Sequence, residues 1–279
     1  MPQPAKIGIL DSGVGGLSVL IEIQNILPKA HIDYIGDSGW CPYGNKSPEQ
    51  IQKRVISLSK QLVTNGAQII VIACNSATIH AVEAARDQFN IPIVGMEPAV
   101  KPAAAATKSG IIGILATEAS IAGEKFHHLL DAHAPPSKIK VITQPCPKFV
   151  ELVETGSLAG NDVTEAIKEY TTPMLKAGVD TLVLGCTHYP FLRESIQSVV
   201  GNNISLIDTG AAVAKRVQSL LADSTATTAT TIQPDKSSPP SLHIQTTGDL
   251  EVLTRIIPHL CPNLIDSATL SQLSELTPS

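Results

Sequence analysis

Two cysteines stand apart because of what surrounds them. Ala73-Cys74-Asn75-Ser76-Ala77 and Gly185-Cys186-Thr187-His188 each place a thiol directly before small polar side chains. Each follows a short apolar run, Ile70-Val71-Ile72-Ala73 and Leu182-Val183-Leu184-Gly185. A thiol at a helix N-terminus has its pKa lowered from about 8.5, which favours the reactive thiolate. Two such thiols allow one particular chemistry. A stereocentre bound between them loses its proton to a thiolate on one face and gains a proton from the thiol on the other. That is two-base racemisation, and it needs no metal or organic cofactor. A cysteine hydrolase would use one thiol, one histidine and an oxyanion hole, and would leave the second cysteine unexplained.

Other groups fit the same chemistry. Asp11-Ser12 ends the apolar run Ile7-Gly8-Ile9-Leu10, and Thr117 with Ser120 follows Ile112-Gly113-Ile114-Leu115. His188, two residues from Cys186, can exchange a proton with it, and Asp11 can do the same, or orient a group, near Cys74. Small hydroxyl and amide side chains beside helix N-termini suit a carboxylate, because backbone N–H groups and the helix dipole point there. Ser12, Asn75, Ser76 and Thr187 are therefore candidate anion contacts, although each is also an ordinary capping residue. Gly13-Val14-Gly15-Gly16 lacks the spacing of a dinucleotide loop and reads as a tight anion-binding turn leading into a helix. His127, His128 and His133 form no metal spacing with a nearby cysteine, so no metal site is expected.

The elements that must position these groups alternate along the chain. Strands are expected at Ile7–Leu10, Ile32–Ile35, Ile69–Ala73, Ile93–Val94, Ile111–Leu115, Ile139–Ile142, Leu182–Leu184, Leu206–Ile207 and Leu242–Ile244. Amphipathic stretches lie between most of them, including Gln50–Leu62, Ile79–Phe89, Gly123–Leu130 and Asn161–Lys176. This predicts βαβ units: an α/β protein with mainly parallel sheets flanked by helices. Ser47-Pro48-Glu49-Gln50 reads as a helix start, and Gly66 and Gly178 as helix ends. The two strand-then-cysteine endings lie at comparable offsets from Gly8 and Gly113, which points to two similar halves. The expected division is residues 1–98 with 208–279, the C-terminal segment returning to the first domain, and residues 99–207. Open α/β sheets bind ligands at the carboxyl ends of their strands, so the active site is expected at the domain interface. Ala222–Ser241, rich in Thr, Ser and Pro, reads as an exposed loop.

Composition narrows the class. The chain has 279 residues, a formal net charge of −5 and only 3% aromatic residues. It shows neither the basic face nor the stacking surface of a nucleic-acid binder. No apolar run approaches the roughly 18 residues of a membrane span, and the five widely spaced cysteines suggest free thiols. A cytoplasmic protein without membrane attachment is expected. Cys146 and Cys261 read as buried hydrophobes.

The motifs resemble those of the glutamate racemases in the aspartate/glutamate racemase superfamily, over nearly the whole chain. Ile9-Leu10-Asp11-Ser12-Gly13-Val14-Gly15-Gly16-Leu17 resembles the family's first motif, and Pro42-Tyr43-Gly44 its substrate-contacting turn. Ala73-Cys74-Asn75-Ser76-Ala77 resembles its first cysteine motif, and Gly185-Cys186-Thr187-His188-Tyr189-Pro190 its second. Leu206-Ile207-Asp208-Thr209-Gly210 and Thr246-Thr247-Gly248-Asp249 resemble late family segments. The resemblance implies two α/β domains with substrate between them, and cofactor-independent interconversion of L- and D-glutamate for peptidoglycan. Cys74 and Cys186 would be the acid/base residues, assisted by Asp11 and His188, with Glu154 as a further acidic position. Ser12, Tyr43, Gly44, Asn75, Ser76, Ser120 and Thr187 would hold the substrate. Ser76 and Ser120 stand where the family commonly has Thr, and Asp37-Ser38-Gly39-Trp40-Cys41 departs from the usual run. A homodimer is implied. The competing expectations are aspartate racemisation on the same scaffold and an amino-acid-binding protein without catalysis.

Overall fold

The computed structural model describes residues 4–227, 240–264 and 267–273. The chain divides into two compact units, Met1–Gly95 with Gly210–Ser279, and Met96–Thr209.

The first unit is built on a six-stranded sheet. Its strands are β1 (Lys6–Asp11), β2 (His31–Gly36), β3 (Ile69–Ile72), β4 (Ile93–Val94), β9 (Leu242–Thr246) and β10 (Ala268–Gln272), in the order β10-β9-β2-β1-β3-β4. Every pairing is parallel. Its helices are α1 (Leu17–Ile26), α2 (Pro48–Thr64), α3 (Asn75–Gln88), α10 (Gly210–Thr227) and α11 (Leu250–Leu260). The second unit repeats the plan with β5 (Ile111–Ala116), β6 (Lys140–Pro145), β7 (Thr181–Leu184) and β8 (Ser205–Ile207), in the order β6-β5-β7-β8, all parallel. Around it lie α4 (Val100–Ala106), α5 (Glu118–Ala122), α6 (Glu124–His133), α7 (Pro147–Glu154), α8 (Asn161–Lys176) and α9 (Arg193–Val200).

The central strands are continuous β-branched and Leu runs because both faces are covered. All four residues of β3 and all four of β7 are buried. One core packs Leu10, Ile35, Ile70 and Ile72 against Ile51, Val55, Leu58 and Leu62 of α2 and Ala77, Ala81 and Ala85 of α3. In the second unit Ile112, Ile114 and Val183 pack against Val100 and Ala103 of α4 and Phe126 of α6.

The topology positions the site. In the first unit the chain leaves β1 for β2 on one side, then crosses to β3 on the other. In the second it leaves β5 for β6, then crosses to β7. Each crossing is the switch point at which open α/β sheets form a crevice. Asp11 and Cys74 lie at the carboxyl ends of β1 and β3, and Thr117 and Cys186 just past those of β5 and β7.

Local chemistry sets the boundaries. Ser47 caps α2 with a complete capping box, its hydroxyl accepting from Gln50 N–H and the Gln50 side chain accepting from Ser47 N–H. Gly66 and Gly178 follow α2 and α8 at φ of +92° and +90°, a conformation that favours glycine. Three expectations need correction. Helix α3 begins at Asn75 rather than Ile79, because Cys74 itself is the N-cap. Residues 222–227 belong to α10: no Gly or Pro interrupts the run after Gly210, so the helix propagates. The remaining stretch to residue 239 lies outside the described residues. Strand β10 was not anticipated, since Ala-Thr-Leu-Ser-Gln carries one large apolar residue and gains its place by pairing with β9.

Candidate active site

Each unit carries its own thiol constellation. In the first, the β1–α1 turn is fixed by close backbone approach. Tyr34 Oη donates to the Gly13 carbonyl at 2.7 Å, and Gly13 N–H donates to Asp11 Oδ2 at 3.0 Å. A side chain at Gly36 would meet the Gly13 carbonyl at 2.5 Å, and one at Gly16 would meet Asp11 Cβ at 2.7 Å. Asp11 is fully buried and Ser12 nearly so.

Cys74 sits across from that turn. Its thiol donates to Ser12 Oγ at 3.5 Å, and its sulfur accepts from Ala77 N–H at 3.4 Å. The sulfur therefore occupies the N-cap of a 14-residue helix, where the dipole and a backbone donor favour negative charge. Asn75 and Ser76 form the first turn of α3, buried. Asn75 Nδ2 is a buried donor with no hydrogen-bond partner. A buried amide hydrogen left unused costs roughly 1–3 kcal/mol, a cost that a bound acceptor would remove.

Tyr43 is buried, but its hydroxyl donates to Asp37 Oδ2 at 2.7 Å. Burial first, and then the Asp37 charge, push its phenol pKa well above 10, so it stays a donor. Gly44, next in the turn, is exposed.

The second constellation is built differently. Cys186 is not the cap of an α-helix. Two residues of turn, a 3₁₀ segment at Tyr189–Leu192 and then α9 follow it. What the sulfur has instead is an imidazole: Cys186 Sγ lies 3.5 Å from His188 Nδ1, and His188 Nε2 lies 2.6 Å from Glu154 Oε1. Burial of the His188 ring opposes its charge, but the hydrogen bonds to Cys186 and Glu154 outweigh it and raise the pKa well above 6.5. Glu154 ends α7, and α7 is held against the cysteine turn. Phe149 packs edge-on to Tyr189 at 5.2 Å, and Tyr189 Oη donates to the Cys146 carbonyl at 3.0 Å. Thr187 is buried beside Cys186, and Ser120 is fully buried. Thr117 caps α5: its hydroxyl accepts from Ser120 N–H at 3.2 Å and donates to Ser120 Oγ at 2.8 Å.

Chemically, the first constellation offers a sulfur at a helix N-terminus with a hydroxyl neighbour. The second offers a sulfur on a histidine–carboxylate relay. All five cysteines are free. Burial drives the Cys146 thiol far up in pKa and lifts Cys261 to about 12, which keeps both as neutral thiols at neutral pH. Among the described residues no cluster of three His, Cys, Asp or Glu side chains could hold a metal, and no helix is long and apolar enough to cross a membrane.

Asp37 and Thr247 enter the sequence reading only as members of longer segments, without a role, and Arg54 does not enter it at all. Asp37 is fully buried at the carboxyl end of β2 and accepts from Tyr43, Arg54 and Thr247. The available signal was its position: it follows β2 as Ser12 follows β1.

The family model described as Asp/Glu/Hydantoin racemase matches residues 7–217. A glutamate racemase of Ectopseudomonas mendocina is 51% identical over 218 residues, covering 78% of this chain and 82% of the relative. The crystal structure of an Escherichia coli glutamate racemase, in complex with L-glutamate and the activator UDP-MurNAc-ala, matches with a TM-score of 0.84 and 32% identity, covering 98% of this chain and 99% of that one. A Bacillus anthracis glutamate racemase isoform matches with a TM-score of 0.83 and 30% identity, covering 99% of both chains. With a family match over most of its length and two similar parallel-sheet units, this chain belongs to the Asp/Glu/hydantoin racemase family.

Proposed function

We propose that this protein is a glutamate racemase that interconverts L- and D-glutamate by two-base proton transfer, with Cys74 and Cys186 as the two bases. The observation that carries the reading is the pair of thiols, each following the equivalent strand of one unit. The names of its relatives support glutamate as the amino acid, and we propose that the D-glutamate serves cell-wall peptidoglycan.

In one direction a thiolate removes the α-proton and the opposite thiol delivers a proton to the other face of Cα. The charge that develops next to the substrate carboxylate needs fixed donors. Asn75 and Ser76, on the first turn of α3, supply them at the Cys74 side with Ser12. Thr187 and Ser120 supply them at the Cys186 side. His188 carries the proton that Cys186 gives up or takes back, and Glu154 holds the imidazole in orientation. Asp11 assists Cys74 by fixing the β1–α1 turn against it. Tyr43 and Gly44 present their turn to the substrate. The reaction itself calls for no cofactor, since the proton acceptor and donor are side chains.

The test is optical. Purified protein given L-glutamate should bring rotation to zero, and D-glutamate should approach the same end point from the other side. Cys74→Ala and Cys186→Ala should each lower the rate by at least about a hundredfold, the scale of a lost acid/base group. Wild-type rates in either variant would sink the two-base assignment. Faster loss of rotation with aspartate than with glutamate would overturn the substrate.

A further inference from the structure

We infer that Asp37 is a positioning residue of this site: a saturated carboxylate clamp that sets the Tyr43–Gly44 turn, using a donor from the C-terminal strand segment. The inference rests on the proposed racemase reading, because it concerns how the substrate turn is held.

A fully buried carboxylate at the carboxyl end of a central strand would ordinarily suggest a third acid/base group. The hydrogen bonds exclude that role. Oδ1 accepts from Arg54 Nη2 at 2.6 Å and from Thr247 Oγ1 at 2.6 Å. Oδ2 accepts from Arg54 Nε at 2.8 Å and from Tyr43 Oη at 2.7 Å. A carboxylate has about four lone-pair sites, and all four are filled. The group has no acceptor site left for a substrate proton. Its charge is matched by Arg54 in fork geometry, the arrangement that fixes orientation as well as energy.

The four donor atoms come from three separate pieces of chain. Tyr43 lies in the turn, Arg54 on α2, and Thr247 just past β9. The Asp37 backbone is tied to the site as well, its N–H donating to the Asp11 carbonyl at 2.9 Å. Thr247 N–H donates to the Gly36 carbonyl at 3.1 Å, and its hydroxyl accepts from Gly39 N–H at 3.2 Å. A side chain at Gly39 would meet the Thr247 carbonyl at 2.6 Å, so the turn and the C-terminal segment are in direct backbone contact. The match to the family model ends at residue 217, before Thr247, while the glutamate racemase structures cover 98–99% of the chain. The C-terminal strands are thus not an appendage to the sheet; through Thr247 they brace the turn.

The turn carries its own reporter. Trp40, the one tryptophan in the chain, meets Tyr43 edge-on at 5.4 Å and has Lys46 Nζ and Arg54 Cζ 5.2 and 5.8 Å from its ring centre. Displacing the clamp moves at least two of these three neighbours.

The experiment compares Asp37→Asn, Tyr43→Phe, Thr247→Val and the Asp37→Asn/Tyr43→Phe pair by racemisation kinetics and Trp40 emission. The asparagine offers one acceptor oxygen to donors that filled two. Its KM for glutamate is expected to rise about tenfold or more, with kcat within roughly threefold of wild type, because the turn is misplaced and the thiols are not. Thr247→Val and Tyr43→Phe should raise KM by less, and the double variant should match Asp37→Asn alone, since all three residues act as a unit. Trp40 emission should shift in every variant. If Asp37→Asn does not fold, the two single-donor variants carry the test, because they leave the Arg54 fork in place. A folded Asp37→Asn protein with wild-type KM, or single-donor variants with wild-type KM, overturns the inference while leaving the racemase reading intact. So does a fall in kcat at unchanged KM, which would make Asp37 an acid/base group. Wild-type protein that leaves glutamate unchanged overturns the racemase reading itself.

Discussion

In the proposed racemisation the two thiols share one task with different neighbours. Cys74 has a helix N-terminus and a serine hydroxyl; Cys186 has an imidazole backed by a carboxylate. The difference is testable at Glu154. Burial works to remove the His188 proton, and the hydrogen bonds to Cys186 and Glu154 keep it on well above the ordinary histidine range. Because the folded pKa is raised, the protonated ring persists through neutral pH and is lost only as pH climbs through the raised value. Glu154→Gln removes the balancing charge and leaves burial with more weight, so the proton departs at lower pH. The alkaline limb of the pH–rate profile is expected to move toward neutrality. At neutral pH kcat should fall about ten- to hundredfold, the scale of a hydrogen bond to a charged group at ~1.5–3 kcal/mol. A profile with an unmoved alkaline limb would show that Glu154 does not control the His188 proton.

Helices and strands hold these groups through polar ties as well as through packing. Asp180, just before β7, accepts from Thr107 Oγ1 at 2.6 Å and from the N–H groups of Lys108 and Ser109, both at 2.7 Å. It pins the α4–β5 connection to the strand that leads to Cys186. Burial works to raise its pKa, but the donors from Thr107, Ser109, Lys108 and Thr181 prevail and lower it to about 2. The folded value lies below the unfolded ~3.9. The stabilisation is therefore present above that unfolded value and is lost as pH falls toward 2. Asp180→Asn should melt at a lower temperature than wild type at neutral pH, and the gap should close as the melts are repeated at decreasing pH. Equal melting temperatures at neutral pH would contradict the tie. Much of this level was legible beforehand. The α8 limits at Asn161 and Lys176, the capping box at Ser47 and the glycine stops come from local patterns, and local patterns are visible in sequence. Strand β10 was not, because its place depends on pairing with β9 rather than on its own residues. Cys74, Cys186 and His188 announced themselves by sitting at strand ends among polar residues. The clamp at Asp37 did not, because its donors come from positions 43, 54 and 247, which only folding brings together.

The whole chain reads as one plan used twice. Each unit places its first strand centrally, its second on one side and its third on the other, and each third strand is followed by a thiol. The first unit then adds β9 and β10 from the end of the chain, and with them Thr247. The formal charge of −5 says little about an acidic ligand, because helix N-termini and buried amides supply local positive potential whatever the net charge. The proposed mechanism has both thiols serve one reaction, one as acceptor and the other as donor. Conversion of L-glutamate in deuterium oxide, stopped early, tests this most directly. Newly formed D-glutamate is expected to carry deuterium at Cα, delivered by a thiol equilibrated with solvent, while the remaining L-glutamate keeps its protium. D-glutamate that retains the substrate's own α-protium would mean that a single base removed and returned the same proton, and would contradict the two-thiol mechanism.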